Sequence, residues 1–337
     1  MGKATAVAHP NIAFVKYWGK ADNRLNLPAN PSVSMNLAAL ITVTTVEFRP
    51  PQKRYSAGRL LDQVTIDNQP ATGQALQRVL AHLDRVRVLA GIDERAIVAS
   101  RNDFPAGTGL ASSAAGFAAL SLAATRAAGL DLDEGALSRL ARLGSGSACR
   151  SVPAGYTQWE GDRDETSFAH QIAPAEHWDL SDVIAIVSRQ PKAVGSHDGH
   201  ELAPTSPLYA ARLAAVPALL AAVQAGIRQR DLAIMGLAIE TDALAMHGVM
   251  MTSRSSLIYW LPATVGVLHT VRTWREEGLS VYFTLDAGPN VHCLCEAQDV
   301  WQVEARLRAI AGVQDVLVSR AGSGVRLSDC HLFQGTG

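Results

Sequence analysis

Two glycines one residue apart, followed by paired serines and then a run almost free of charge, constrain this chain more than any other feature. The segment reads Asp103-Phe104-Pro105-Ala106-Gly107-Thr108-Gly109-Leu110-Ala111-Ser112-Ser113, and small and apolar residues dominate from there to residue 128. Glycine adopts backbone angles closed to other residues, so Gly107 and Gly109 permit a sharp turn that brings N–H groups close to an anion. A helix opened by Ser112 and Ser113 would add free N–H groups and a positive dipole end, which favour phosphate. No Lys-Ser or Lys-Thr follows the glycines, which excludes a Walker A loop. The same residues also describe an ordinary helix cap after a glycine turn, and taken alone the segment leaves both readings open.

The remainder of the 337 residues shows what that loop is built into. The chain is 48% hydrophobic and 18% charged, too apolar for disorder, and long enough for one large or two ordinary domains. Strands are expected at 43–48, 97–100, 183–187, 279–285, 291–295 and 313–319. Helices are expected at 74–90, 113–128, 131–143 and 300–310. Residues 207–274 read as mainly helical with breaks at Gly248 and Pro262, and residues 144–155 as a tight loop. Strands and helices mix without regular alternation, which favours an α+β fold over a doubly wound one. A boundary near 180–190 divides the chain into 1–185 and 186–337.

A net charge of −1 argues against nucleic acid as a partner. The longest apolar run, 213–227, contains Pro217 and Gln224 and lies between Arg212 and Arg228. It falls short of the ~20 residues that span a bilayer and reads as a buried helix. Residues 1–9 lack the apolar stretch of a signal peptide, so a cytoplasmic protein without membrane partners is expected. Cys149, Cys293, Cys295 and Cys330 show no zinc-type spacing and are expected to be buried thiols of a reducing compartment.

Four further segments carry polar groups suited to chemistry. Gly144-Ser145-Gly146-Ser147-Ala148-Cys149-Arg150-Ser151 offers hydroxyls and a guanidinium, which binds carboxylate or phosphate through two parallel hydrogen bonds. Asn11, Lys16, Tyr17 and Lys20 crowd into ten residues around Trp18. Asp286 precedes Ala287-Gly288-Pro289-Asn290 at a strand end, where it either forms a turn or holds a rigid carboxylate against a substrate hydroxyl. Lys192 to His200 is a polar loop with His197 and His200, whose spacing of three does not make a metal site.

In this order the five segments resemble the mevalonate diphosphate decarboxylases of the GHMP kinase superfamily. The resemblance rests on residues 11–20, on Leu25-Asn26-Leu27-Pro28-Ala29-Asn30, on 105–117, on 144–150 with Gly155-Tyr156, and on 286–290. It implies a two-domain α+β GHMP kinase fold with a cleft between the halves. It also implies an ATP- and Mg2+-dependent reaction, in which a 5-phosphorylated mevalonate is phosphorylated on its tertiary hydroxyl and then loses phosphate and carbon dioxide. By resemblance Asp286 is the catalytic base, Lys16 stands near the transferred phosphoryl group, and Arg150 grips the substrate carboxylate. Asn11, Tyr17, Lys20, Ser145, Ser147, Ser196 and His197 match substrate-binding positions. Pro105, Ala106, Gly107, Thr108, Gly109, Leu110, Ala111, Ser112 and Ser113 would cradle the ATP phosphates, with Ser113 also at magnesium. Relatives are commonly homodimers.

The sequence departs from the family where Pro31 precedes Ser32, and where His197 stands in place of an Arg or Thr. A neutral His offers less to a distal phosphate, so mevalonate 5-diphosphate and 5-monophosphate stand nearly level as substrates. A kinase that stops at the 3-phosphate and an idle ATP-binding sensor are the alternatives. Asp286 beside Arg150 disfavours the first, and Asp286 with Lys16 and Ser113 the second. A near-neutral total is compatible with polyanionic ligands if Lys16, Lys20, Arg150 and Lys192 converge in one cleft.

Overall fold

The computed structural model describes residues 2–49, 62–104, 112–190, 192 and 194–333. The first elements are β1 (Lys3–Ala8), β2 (Asn11–Val15), β3 (Lys20–Asp22), β4 (Leu27–Pro28), β5 (Ser32–Asn36) and β6 (Thr42–Arg49). They are followed by β7 (Gln63–Ile66), β8 (Gln69–Pro70), α1 (Gly73–Ala90), β9 (Arg95–Asn102), α2 (Ser112–Ala127) and α3 (Glu134–Gly144). Next come β10 (Tyr156–Glu160), β11 (Phe168–Ala173), β12 (Leu180–Ile186), α4 (Ser196–Leu202), α5 (Tyr209–Gln229) and α6 (Leu232–Thr252). The chain continues through α7 (Pro262–Glu276), β13 (Val281–Thr284), β14 (Val291–Glu296), α8 (Val300–Arg308), β15 (Asp315–Arg320) and β16 (Arg326–Ser328).

Three larger sheets and the two-stranded pair β3-β4 organise these elements. The first has the order β16-β1-β6-β9-β7-β8, the second β11-β10-β5-β2 and the third β13-β14-β12-β15. Helices α1 and α2 cover the first sheet, with Leu83, Val86, Ala115, Ala118 and Leu122 against Ala6, Val46, Phe48 and Val98. The alanines of α2 let that helix lie close to the strands, and its burial on nearly every side explains why it is apolar all round. Helices α7 and α8 cover one face of the third sheet. Between the second and third sheets one apolar cluster joins Ile12, Phe14 and Met35 to Ile184 and Leu294 through Val216, Val223, Met235 and Ile239 of α5 and α6. The expected α+β architecture in two halves is thus observed, with α5 and α6 as the seam.

Several expectations need correction. The division after residue 185 falls inside β12, which pairs along its length with β14 and β15. Strand β16 returns to β1, so residues 326–328 complete the first sheet. Gly248 does not break its helix, because α6 runs through it to Thr252. The interruption instead falls at Arg230, whose left-handed φ of 56° ends α5. Residues 144–155 are only partly a loop, since 146–151 form a 3-10 helix. By length and composition α5 and α6 would each suffice to cross a membrane. In the structure α6 is largely buried within the protein, whereas α5, expected from residues 213–227 to be a buried helix, turns only one side inward, with Val216, Val223, Gly226 and Ile227 buried. Cys149, Cys293 and Cys295 are buried as expected, whereas Cys330 is exposed.

Candidate active site

Strand β2 ends at Val15, and the three residues after it enter the space between the halves. The turn back requires Gly19, whose φ is +92° and where a Cβ would collide with the Tyr209 side chain. His200 of α4 locks this turn. Its Nδ1 accepts the Gly19 N–H at 3.0 Å, and its ring stacks 4.2 Å from Tyr17 and 4.6 Å from Trp18. Burial holds the His200 imidazole well below its usual pKa, so it is neutral with the proton on Nε2. His200 therefore keeps no ring nitrogen free for a metal, and Trp18 is core.

Asp286 follows the end of β13, in the turn to β14. Asn290 ties that turn to the end of β12, its Oδ1 accepting the N–H groups of Val187 and Ser188 at 2.8 and 3.0 Å. Thr264 of α7 donates to the Pro289 carbonyl at 2.7 Å. His247 of α6 donates from Nε2 to the Asp286 carbonyl at 3.1 Å. Burial lowers the His247 pKa to about 4, so the ring is neutral and, with a carbonyl as partner, carries its proton on Nε2. The turn that carries Asp286 is thereby tied to the end of β12, to α7 and to α6.

Across the cleft the Lys16 ammonium lies 2.7 Å from Asp286 Oδ1. Lys16 is 1% exposed and Asp286 24%. Burial would push the Asp286 carboxyl upward, but the charge and hydrogen bond of Lys16, with His292 and Arg150, outweigh it and hold the group below the usual carboxylate range. Burial is also the larger influence on Lys16, lowering its pKa despite Asp286 and Asp242. Arg150, in the 3-10 helix, donates to Asn11 Oδ1 at 3.2 Å and to Ser34 and Ser32 at 3.1 and 2.8 Å. Its Nη2 takes no partner among the described residues.

These groups border one cavity of about 250 Å³. Tyr17, Lys20, Ser113, Ser145, Ser147, Ser196 and His197 line it together with Lys16, Arg150 and Asp286. Ser113 and Ser145 lie 3.3 Å apart, joining the start of α2 to the start of the 3-10 helix. Asn11 does not line the cavity. Its amide is committed to the Ser147 carbonyl, to Ser151 and to Arg150, so it stands behind the guanidinium rather than at a substrate. The loop residues 105–111 lie outside the described residues.

The far end of the cavity is cationic. Lys20 Nζ lies 3.4 Å from His197 Nδ1. Burial, Lys20 and Arg78 together lower the His197 pKa, leaving it neutral beside the ammonium. Arg78, absent from the sequence motifs, reaches in from α1, donates to the Gly144 carbonyl at 2.9 Å and lies over the Phe117 ring. Lys192 donates to the Ala287 carbonyl at 2.6 Å and to Ser196 at 2.8 Å. Burial lowers its pKa to about 8. Arg78, Ser112 and Ser113 also border a second, largely apolar cavity of about 280 Å³ among Val64, Val79, Val98, Phe117 and Leu120.

This arrangement matches a known one. Residues 8–169 match the family described as "Diphosphomevalonate decarboxylase-like N-terminal domain", and residues 182–325 match "Mevalonate 5-diphosphate decarboxylase C-terminal domain". The chain belongs to the diphosphomevalonate decarboxylase family. Among its relatives, the diphosphomevalonate decarboxylase of Aspergillus fumigatus is 36% identical over 92% of this chain and 81% of its own length. The phosphomevalonate decarboxylase of Haloferax volcanii is 34% identical over 90% and 91%. The crystal structure of mevalonate diphosphate decarboxylase from Staphylococcus aureus superimposes with a TM-score of 0.90 at 35% identity, covering 97% of this chain and 98% of that one. A structure of the Enterococcus faecalis mevalonate diphosphate decarboxylase, which concerns mevalonate diphosphate mediated ATP binding, gives 0.87 at 37% identity with the same coverage. Family membership thus covers both a diphosphate and a monophosphate enzyme.

Proposed function

We propose that this decarboxylase-family protein phosphorylates the tertiary hydroxyl of a 5-phosphorylated mevalonate with ATP and then decarboxylates it. The observation that carries the reading is the single cleft in which Asp286, Lys16 and the open edge of Arg150 face one another. Asp286 is ionised, and its Oδ2 is free of protein partners among the described residues, so it is placed to take the hydroxyl proton. The hydroxyl oxygen then attacks the γ-phosphorus, ADP leaves, and the Lys16 cation offsets charge on the transferring group. Cleavage of the carbon–oxygen bond releases phosphate. The carboxylate, oriented by Arg150, releases carbon dioxide, and the freed electron pair forms the double bond.

The supporting chemistry is consistent with this assignment. The Tyr17 hydroxyl is buried without a protein partner among the described residues, which suits a donor reserved for substrate. Lys20, Arg78 and His197 suit the 5-phosphate end. The second, apolar cavity suits the nucleotide base, and Ser112 and Ser113 join it to the phosphates. Among the described residues there is no cluster of three or more His, Cys, Asp or Glu for a metal. Magnesium therefore fits here as a hard ion carried by the nucleotide phosphates, with the Ser113 hydroxyl as a protein ligand. It would supply charge neutralisation on those phosphates. The family resemblance further supports a homodimer, and the buried thiols of Cys149, Cys293 and Cys295 suit a reducing, cytoplasmic compartment.

The protein is tested with ATP, magnesium and, separately, mevalonate 5-diphosphate and 5-monophosphate, measuring ADP and carbon dioxide. Both products with either ester support the proposal, and the better ester names the substrate. ADP without carbon dioxide indicates a kinase. Neither product indicates a sensor.

A further inference from the structure

The Lys16 peptide is gripped by a buried apparatus that the reaction as derived does not use. Lys16 follows the last paired residue of β2 and has no ladder partner. Its N–H donates to Asp242 Oδ2 of α6 at 2.5 Å. Its carbonyl accepts from Arg212 Nη2 of α5 at 2.8 Å and from Asn30 at 3.0 Å. Arg212 also donates to Asp242 at 3.0 and 3.3 Å and to Asn30 Oδ1 at 3.2 Å. The two charged side chains are 1% and 0% exposed.

A fully buried ion pair is weak evidence for stability, because apolar side chains of similar size often serve as well. This pair lies at the seam between the halves. Both peptide groups it holds belong to the residue whose ammonium meets Asp286, and Asp286 is anchored through His247 of the same helix, α6. One helix therefore supports both members of the Lys16–Asp286 contact from behind, with Asp242 five residues before His247 along α6. We propose that Arg212 and Asp242 are positioning residues for the reaction, setting where the Lys16 ammonium stands relative to Asp286. The inference rests on the function proposed above. Neither side chain lines the cavity, so neither touches substrate.

The test replaces the pair with apolar groups, as Arg212→Met with Asp242→Leu, which leaves no lone buried charge. A displacement near 1 Å costs about 10²-fold in rate, so kcat falls about 10- to 100-fold while both KM values stay within about threefold. Binding of a non-hydrolysable ATP analogue and the thermal midpoint report a retained fold. Adding Lys16→Met to this variant produces no loss beyond that of Lys16→Met alone, because the pair acts through that residue. If the apolar pair does not fold, Asp242→Asn, which keeps an acceptor for the Lys16 N–H, replaces it with an expected loss of about tenfold. An unchanged kcat in either folded variant overturns the inference, as do losses that multiply with Lys16→Met. A native protein that forms no ADP with either ester overturns the functional reading and this inference with it. Native turnover with an unaffected variant overturns the inference alone.

Discussion

Lys16→Met separates the catalytic worth of the buried ion pair from its structural worth. Methionine keeps a flexible side chain of similar length and removes the ammonium. For stability the two consequences oppose each other. Burial costs the Lys16 charge more than its partners return, so removing it brings relief. The substitution also leaves Asp286 without its nearest cation, and breaking a buried pair costs about 3–5 kcal/mol. Asp286 is 24% exposed to the cleft, where solvent reduces that penalty. The net is about 1–2 kcal/mol, a fall of a few degrees in the thermal midpoint. For the rate nothing offsets the loss, since a fixed cation at developing charge is worth about 10²–10³ in kcat. The carboxylate also loses the main influences that oppose burial, so its pKa rises and the acidic limb of kcat moves to higher pH. The sign follows from the depressed native pKa: the pair's contribution is full above the unfolded carboxylate pKa and is lost as pH falls through the folded one. The assay is single-turnover ADP formation across pH, beside calorimetric binding of an ATP analogue. A folded variant with kcat within about threefold of native refutes the role given to Lys16.

Asp286→Ala is expected to bind the ATP analogue almost as tightly as native while losing turnover, measured as carbon dioxide release; normal decarboxylation would remove Asp286 as the base. Lys192, with its pKa of about 8, is expected to give an alkaline limb near that pH. In Lys192→Arg, which stays charged, that limb disappears from the kcat/KM profile. His82 and His247 are buried with pKa values of about 3 and about 4. The native state therefore resists protonation that the unfolded chain accepts below about 6.5, and stability falls as pH is lowered. By pH 5 each removes on the order of 2 kcal/mol. Urea unfolding at pH 7 and pH 5 measures this, and His82→Gln is expected to reduce the difference.

The site was legible where a local arrangement imposed the residue type. Gly19 needs a left-handed backbone angle, Asp286 precedes a Gly-Pro turn, and Arg150 stands among small residues, so short motifs carry them. Arg78, Arg212 and Asn30 occupy ordinary positions and acquire meaning only when distant elements meet. Asp242 did leave a trace: a carboxylate inside the apolar stretch 232–251 is rarely buried without a partner. Strands β2, β5 and β10, which no sequence pattern marks, are buried along nearly their whole length. Ser32, Ser34 and Thr157 find side-chain partners internally and Asn36 donates to the Pro153 carbonyl, so no alternation of polar and apolar residues marks those strands. Gly248 does not interrupt α6, because the cost of one glycine is small beside the burial of its neighbours.

The return of β16 to β1 bears on how the molecule is made. Thr5 pairs with Ser328, and its hydroxyl also meets His331. During synthesis the first sheet must therefore wait, with one flank of β1 unpaired, until the whole second half has left the ribosome. Contacts so distant along the chain close slowly, and an unpaired strand edge invites association with other chains. Segments released early thus depend on residues translated much later, and truncation just before residue 326 would strip the β16 edge from the first sheet.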